Sequence, residues 1–453
     1  MQKIYLHLLG RIEIFIKLTL FVFVMGLGEN GQGQAIGDFQ PKNATGNWSD
    51  FNSWTRYNGG SFVPAILGQI PASTSDIYFT GFRNIFVDIT TAACNNIRLS
   101  LPGATEKISF SAGGILYIHG SLFQFQSNNT PFSSFGAGSK IIFTGSGNQT
   151  ITNSGISTNL NNVEINKSGG VFTLPGVGTT YDVFTLTSGT LVASNGADLI
   201  GQSITSSVNV NGGTWTQMDG ATRINGGANG ADIALKINNA TMSIATTSKG
   251  LGGFNLSSVT ITNGGVLNIF NSTGNINITN SFSIDPTSTV NSSHATTPSA
   301  ITNNFLGTFN YNAAGNQNII NSSYGNLGLL ISGTKTPIAT LNILNNLIIE
   351  GLSILPLSTS IGVNIGGDWT SYGTVGLTES NSIINFNGTG AQSINTNGGE
   401  DFFRVAKTGS GSLLQKSDVR LSGTASELSI SAGTFDASTN TLSGTGSTAL
   451  VMS

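Results

Sequence analysis

Phe184-Thr-Leu-Thr-Ser-Gly189-Thr-Leu191 has the pattern apolar-x-apolar-x-x-Gly-x-apolar, and the same frame fits several other places in the chain. It fits Ile108/Phe110/Gly113/Ile115, Val208/Val210/Gly213/Trp215, Val259/Ile261/Gly264/Val266 and Leu428/Ile430/Gly433/Phe435. In chain order the frames therefore start at Ile108, Phe184, Val208, Val259 and Leu428. The intervals between them divide into about three, one, two and seven steps of roughly 24–25 residues, a length suited to one turn of a solenoid. The expected fold is therefore all-β, a right-handed parallel β-helix with turns of about 24 residues.

A second block keeps a similar beat. Gly147-Asn-Gln149-Thr-Ile151, Gly315-Asn-Gln317-Asn-Ile319 and Gly390-Ala-Gln392-Ser-Ile394 each follow an apolar pair. A lysine trails each glutamine at a similar distance: Lys167 after Gln149, Lys335 after Gln317 and Lys407 after Gln392. The simplest reading of the glutamines is an inward or stacked amide that satisfies turn backbone, with ligand contact as the alternative. The lysines read as solvated turn residues.

Composition narrows the class. Only 9% of the 453 residues are charged, while 38% are hydrophobic, which is not the high-charge, low-hydrophobicity profile of a disordered chain. Alternation such as Val259-x-Ile261, Ile276-x-Ile278 and Phe282-x-Ile284 gives each strand one buried and one exposed side. A doubly wound parallel sheet would instead show continuous apolar runs separated by helices. Leu, Ile, Val and Phe should fill the interior, and Asn and Thr at equivalent turn positions can form ladders of side-chain hydrogen bonds. Pro337 and Pro356 fall near a denser apolar run, Leu341 to Ile349, read either as a thicker rung or as a small departure from the helix.

Residues 1–35 read as a secretory signal: Lys3, Arg11 and Lys17 precede the apolar core Leu18 to Leu27, and Gly33-Gln34-Ala35 offers a cleavage site. A retained N-terminal anchor is the alternative. Without this leader the chain carries 15 basic and 19 acidic residues. That balance supplies neither the basic surface that nucleic acid requires nor a polybasic membrane patch. Cys94 is the only cysteine, so there is no internal disulfide framework, and it reads as a small buried residue.

Residues 36–94 form an N-terminal cap with the first strands, and 95–453 the solenoid repeats. The cap contains Trp48, Trp54, Arg56 and Tyr57. These residues can close the open first turn, and Trp48, Trp54 and Tyr57 could alternatively form a sugar-binding platform.

The runs Ile36-Gly-Asp-Phe, Gly46-Asn-Trp48-Ser, Trp54-x-Arg56-Tyr57-Asn-Gly59 and Pro71-x-Ser73-x-Ser75-Asp76, with Leu160-Asn-Asn-Val163-Glu-Ile165-Asn-Lys167-Ser-Gly169 further on, are found here. Together they resemble large secreted β-solenoid surface and adhesin-like proteins of Gram-negative bacteria that use type IX secretion. That resemblance implies a long β-solenoid and usually a terminal sorting domain, which this sequence lacks. We expect either a fragment of a longer protein or a different route of export.

Catalytic signals are sparse. Beyond the leader the histidines are His119 and His294, and the acidic neighbours are Glu400 and Asp401, read as an exposed turn entering a strand. Successive strand residues face opposite ways and make a poor acid pair. Asp219 and Asp232 could meet across stacked turns, and Gly226 to Asp232 has the wrong spacing for a calcium turn. No nucleophile elbow, zinc motif, phosphate loop or paired cysteines occur, so no catalytic, cofactor or metal residues are assigned. The expected role is a secreted, surface-exposed adhesive solenoid making weak multivalent contacts with glycans or cell-surface proteins, without catalysis. A carbohydrate-active β-helix enzyme and a passive stalk for a missing domain are the alternatives.

Overall fold

The computed structural model describes residues 33–452 apart from 100–105, 125–130, 154–157, 175, 177, 194–196, 204, 219–222, 226–232, 245–253, 271–275, 373–375, 398–399 and 446–447. All but the last three residues of the leader assigned to 1–35 lie outside them, as do Asp219, Asp232 and the run 226–232. The described residues contain strands, turns and one short 3-10 helix, Phe51–Ser53. None of their helices is long and apolar enough to cross a membrane.

The chain is a parallel β-solenoid with three faces. On the first face one inward column runs Cys94, Ile118, Phe143, Ile165, Leu186, Val210, Ile237, Ile261, Ile284, Phe305, Tyr324, Ile343, Ile365, Phe386, Lys407, Ile430, Met452, each paired with the next in parallel register. On the second face a matching column passes through Phe172, Leu191, Trp215, Met242, Leu267, Val290, Phe309, Leu327, Leu347, Trp369 and Ile394. The third face is broken into shorter sheets, one built from Thr45–Asn47, Asn84–Val87, Lys107–Phe110 and Phe132–Phe135. Period-two alternation makes these columns apolar except at Lys407, and every member is buried apart from Ile430 and Met452 at the C-terminal end. Each buried Leu, Ile or Phe contributes about 1.5–3 kcal/mol of transfer free energy.

The register revises the repeat. Steps along the first column are shortest from Phe305 to Tyr324 and from Tyr324 to Ile343, and longest from Val210 to Ile237. Val208 and Val259 are indeed two coils apart, through Leu235, but Ile261 and Ile430 are eight coils apart and not seven. The first frame is also out of phase: Ile108 and Phe110 lie on the third face, and Gly113 leads onto the first. What the frame marks is a corner. All five of its glycines, 113, 189, 213, 264 and 433, have φ between +71° and +91°. Such a corner turns the strand onto the next face in few residues, and only glycine adopts it without strain. The dense run 341–349 is a regular short coil with few turn residues: Leu341, Ile343, Leu347 and Ile349 point inward and Leu344 is exposed at the corner.

At the N-terminal end the pairing changes direction. Phe39–Pro41 pairs antiparallel with Trp54–Tyr57, which pairs antiparallel with Phe62–Pro64, and Phe39 also pairs in parallel with Ile77. A hairpin thus covers the first coil. Trp48 and Trp54 are fully buried edge to face at 5.3 Å, and Trp54 Nε1 donates to the Trp48 carbonyl at 3.1 Å. Cys94 is buried in the first column and burial raises its pKa well above the usual thiol value, so it is an inert packing residue.

A β-carbon at Gly213 would sit 2.3 Å from the Gly189 carbonyl oxygen at a φ of +71°. Gly213→Ala is expected to cost about 1–3 kcal/mol, read as a lower denaturant midpoint at unchanged m-value.

Candidate functional site

The tryptophans assigned to a possible platform are closed to any ligand, because their rings fill the end of the core. Tyr57 is half-buried on the outside, 5.3 Å from Phe62, which lies 6.4 Å from Tyr78. Arg98 then stacks between Tyr78 at 5.7 Å and Phe123 at 4.5 Å. Phe62, Tyr78 and Phe123 escaped sequence reading because they lie on different strands, and only the register of the first coils brings them together.

The Gly-x-Gln blocks form the same inward arrangement three times. Gln149 Nε2 donates to the carbonyls of Ile118 and Gly120 on the coil before (2.9 and 2.6 Å), and its Oε1 accepts from Lys167 Nζ on the coil after (2.7 Å). Gln317 donates to Ser292 and His294 and accepts from Lys335 at 2.8 Å. Gln392 donates to Ile365 and Gly367 and accepts from Lys407 at 3.0 Å. The amide reading of the glutamines therefore holds.

The lysines are not solvated. They are 2%, 0% and 0% exposed, because strand alternation puts each lysine at an inward position, beside the turn of the preceding coil. Each ammonium also donates to turn carbonyls there: Lys167 to Gly147 at 2.7 Å, Lys335 to Ala313 and Gly315 at 2.8 and 3.0 Å, Lys407 to Gly388 at 3.0 Å. Three coils are tied at one corner, and no carboxylate takes part. Removal from water lowers all three pKa values, to about 8 for Lys167 and Lys335. These lysines have no route to a substrate.

Other ionisable groups are also held by the fold. Glu400 is buried rather than exposed, its Oε2 accepting from Trp369 Nε1 at 3.0 Å, and burial raises its pKa. Asp401 faces the other way and pairs with Arg420. His119 and His294 sit seven coils apart, about 34 Å at 4.8 Å per strand. Among the described residues no group of three His, Cys, Asp or Glu is placed to hold a metal.

The outer surface carries the more open sites. Asn342, Asn364 and Asn385 stack at the outward middle of three adjacent first-face strands. Asn364 Nδ2 donates to Asn342 Oδ1 at 2.9 Å, and Asn385 Nδ2 donates to Asn364 Oδ1 at 3.1 Å. Thr408 Oγ1 closes the row on Asn385 Oδ1 at 2.7 Å. A second row, Ser243, Asn268, Asn291 and Asn310, runs up the second face. Rows of this kind occupy strand middles, and the turns stack as expected too: Asn263 Nδ2 donates to Asn238 Oδ1 at 2.6 Å, and Asn326 Oδ1 and Asn346 Oδ1 accept from the N–H groups of Asn346 and Asp368 on the next coils at 3.2 and 2.9 Å.

The first row is a ridge between two grooves. One, of about 550 Å³, is lined by Asn342, Leu344, Gly366, Asn387 and Thr389 among others, and the other, of about 440 Å³, by Thr340, Ser360, Ile361, Ile383 and Thr408 among others. Among the described residues no ionisable side chain lines either groove.

Comparison with family models, with curated proteins and with solved structures finds no match to this chain.

Lys167→Met would leave Gln149 Oε1 and the Gly147 carbonyl without their donor, at an expected cost of about 1–3 kcal/mol. The pH dependence has the opposite sense from a salt bridge. Folded Lys167 and Lys335 titrate near 8, below the ~10.4 of a free lysine. The unfolded chain therefore binds more protons between those values. Stability should rise with pH from about 8 to 10.4, and the slope should shrink in the Lys167→Met/Lys335→Met double variant, measured by urea denaturation at stepped pH.

Proposed function

We propose that the chain is a secreted, surface-exposed rod that adheres by weak multivalent contact with neutral glycans and carries out no turnover. The amide ridge at Asn342, Asn364 and Asn385 between two uncharged grooves supports this reading best. An amide has two N–H donors and two acceptor lone pairs. In the row Asn364 uses one of each on its neighbours, which leaves a donor and an acceptor side by side on the solvent face. That pairing matches the adjacent hydroxyls of a sugar ring. Ile361, Ile383 and Leu344 flank the ridge and supply apolar surface for the C–H faces of the ring.

Weak individual contacts repeated along a rod suit avidity rather than tight binding at one pocket. Secretion follows from reading residues 1–35 as a leader, and surface display by a type IX route from the resemblance of the cap and the Gly-x-Gln blocks. Adhesion is favoured over hydrolysis because the acids, lysines and histidines described above are buried, paired or far apart, and the grooves are lined by neutral groups.

The test is retention of the purified chain on insoluble and soluble polysaccharides, with product release followed in parallel. Retention without new reducing or unsaturated ends is expected, and Asn364→Ala/Asn385→Ala should weaken it at least threefold at unchanged thermal midpoint. Release of cleaved product, or retention indifferent to the ridge, would contradict the proposal.

A further inference from the structure

The N-terminal cap contains a second, chemically different cleft. It has a volume of about 320 Å³ and is lined by Arg56, Gln69, Thr74 and Ser75, with Gly37 and Gly68 at its walls. Arg56 stands opposite Phe39 in the antiparallel pair, and its guanidinium lies against Gly37, where a β-carbon would be 3.4 Å from Nη2. Arg56 is half-buried, yet among the described residues its side chain makes no hydrogen bond or ion pair. The Nε2 of Gln69 and the hydroxyls of Thr74 and Ser75 are likewise uncommitted among the described residues, while Gln69 Oε1 is occupied by the Ile66 N–H.

The carboxylates adjacent in sequence are turned elsewhere. Asp38 accepts from the backbone N–H groups of Ala35 and Asp76 at 2.6 and 3.1 Å. Asp76 accepts from Asn95 Nδ2 at 2.8 Å and from Asn96 Nδ2 at 2.9 Å, and lies 3.6 Å from Arg98 Nε. A partly desolvated cation among free donors, with Asp38 and Asp76 engaged elsewhere, is a costly arrangement unless an anion completes it. The planar fork of a guanidinium accepts two oxygens of one oxyanion side by side.

We propose that this cleft binds an oxyanion group, the carboxylate or sulfate ester of an acidic ligand. The Arg56 guanidinium takes two of its oxygens, and Gln69 Nε2 and the Thr74 and Ser75 hydroxyls donate to the lone pairs that remain. The site is separate from the amide ridge, which is built for neutral hydroxyls, so the two stand or fall independently.

The experiment titrates the full chain with sodium glucuronate and, separately, sodium sulfate, against sodium chloride at matched ionic strength, followed by calorimetry and by thermal shift. Saturable binding of at least one oxyanion beyond chloride is expected. Preference for glucuronate assigns a carboxylate ligand, and preference for sulfate a sulfate ester. Arg56→Gln should weaken binding at least tenfold, Arg56→Lys less, since it keeps the charge and loses the fork. Thr74→Val, an exposed position, should weaken it severalfold and serves as the deciding variant if Arg56→Gln does not fold. An oxyanion response no greater than that of chloride, or equal affinity in Arg56→Gln or Thr74→Val, would overturn the proposal, and Asn364→Ala should leave this binding unchanged.

Discussion

Everything in this rod depends on the parallel backbone ladder between successive coils. A short strand cannot hold itself together, and its N–H and C=O groups need partners. Here each coil supplies them to the next at the same lateral register, from Cys94 to Met452 on the first face. The register in turn fixes which side chains meet. Apolar residues stack on apolar residues inside, and amides stack on amides outside. Coil length is free to vary because the corners absorb the difference. The short step from Phe305 to Tyr324 and the long one from Val210 to Ile237 therefore coexist in one column.

The buried lysines follow from the same constraint. A corner leaves turn carbonyls facing the core with no strand to satisfy them, and a buried unpaired carbonyl is costly. A glutamine reaches back to the carbonyls of one coil, and a lysine from the next coil reaches down to the glutamine and to the carbonyls beside it. An ammonium can do this because it offers three donors and carries no acceptor atom that would itself need a donor. Desolvation of the charge opposes the gain, and the lowered pKa of Lys167 and Lys335 is the sign of that opposition. The same logic accounts for Glu400, a buried acid held by the indole N–H of Trp369. Lys167, Lys335, Lys407 and Glu400 are thus parts of the framework.

The architecture was legible from alternation and from Gly189 and its equivalents, since a strand period and a left-handed corner are local properties. The length of each coil was not, because it depends on how many residues a corner loops out. Hence Ile108 seemed equivalent to Phe184 although it lies on another face. Gln149, Gln317 and Gln392 could be read as satisfying turn backbone, but the burial of Lys167, Lys335 and Lys407 could not, since charge normally signals solvent. Trp48 and Trp54 illustrate the same limit: closely spaced aromatics suit a cap without excluding a platform, and only packing places both in the core. The asparagine ridge and the Arg56 cleft join residues from separate coils or loops, so no sequence motif announces either one.

Lysine labelling under native conditions tests the stacked arrangement most directly. With a small amine-reactive acylating reagent and peptide mass spectrometry, exposed Lys42, Lys236 and Lys416 should react quickly. Lys167, Lys335 and Lys407 should stay largely unmodified until the chain is denatured, at least tenfold slower than the exposed set. Labelling of the three at the rate of Lys42 would place them in solvent and contradict the account of how the coils are tied.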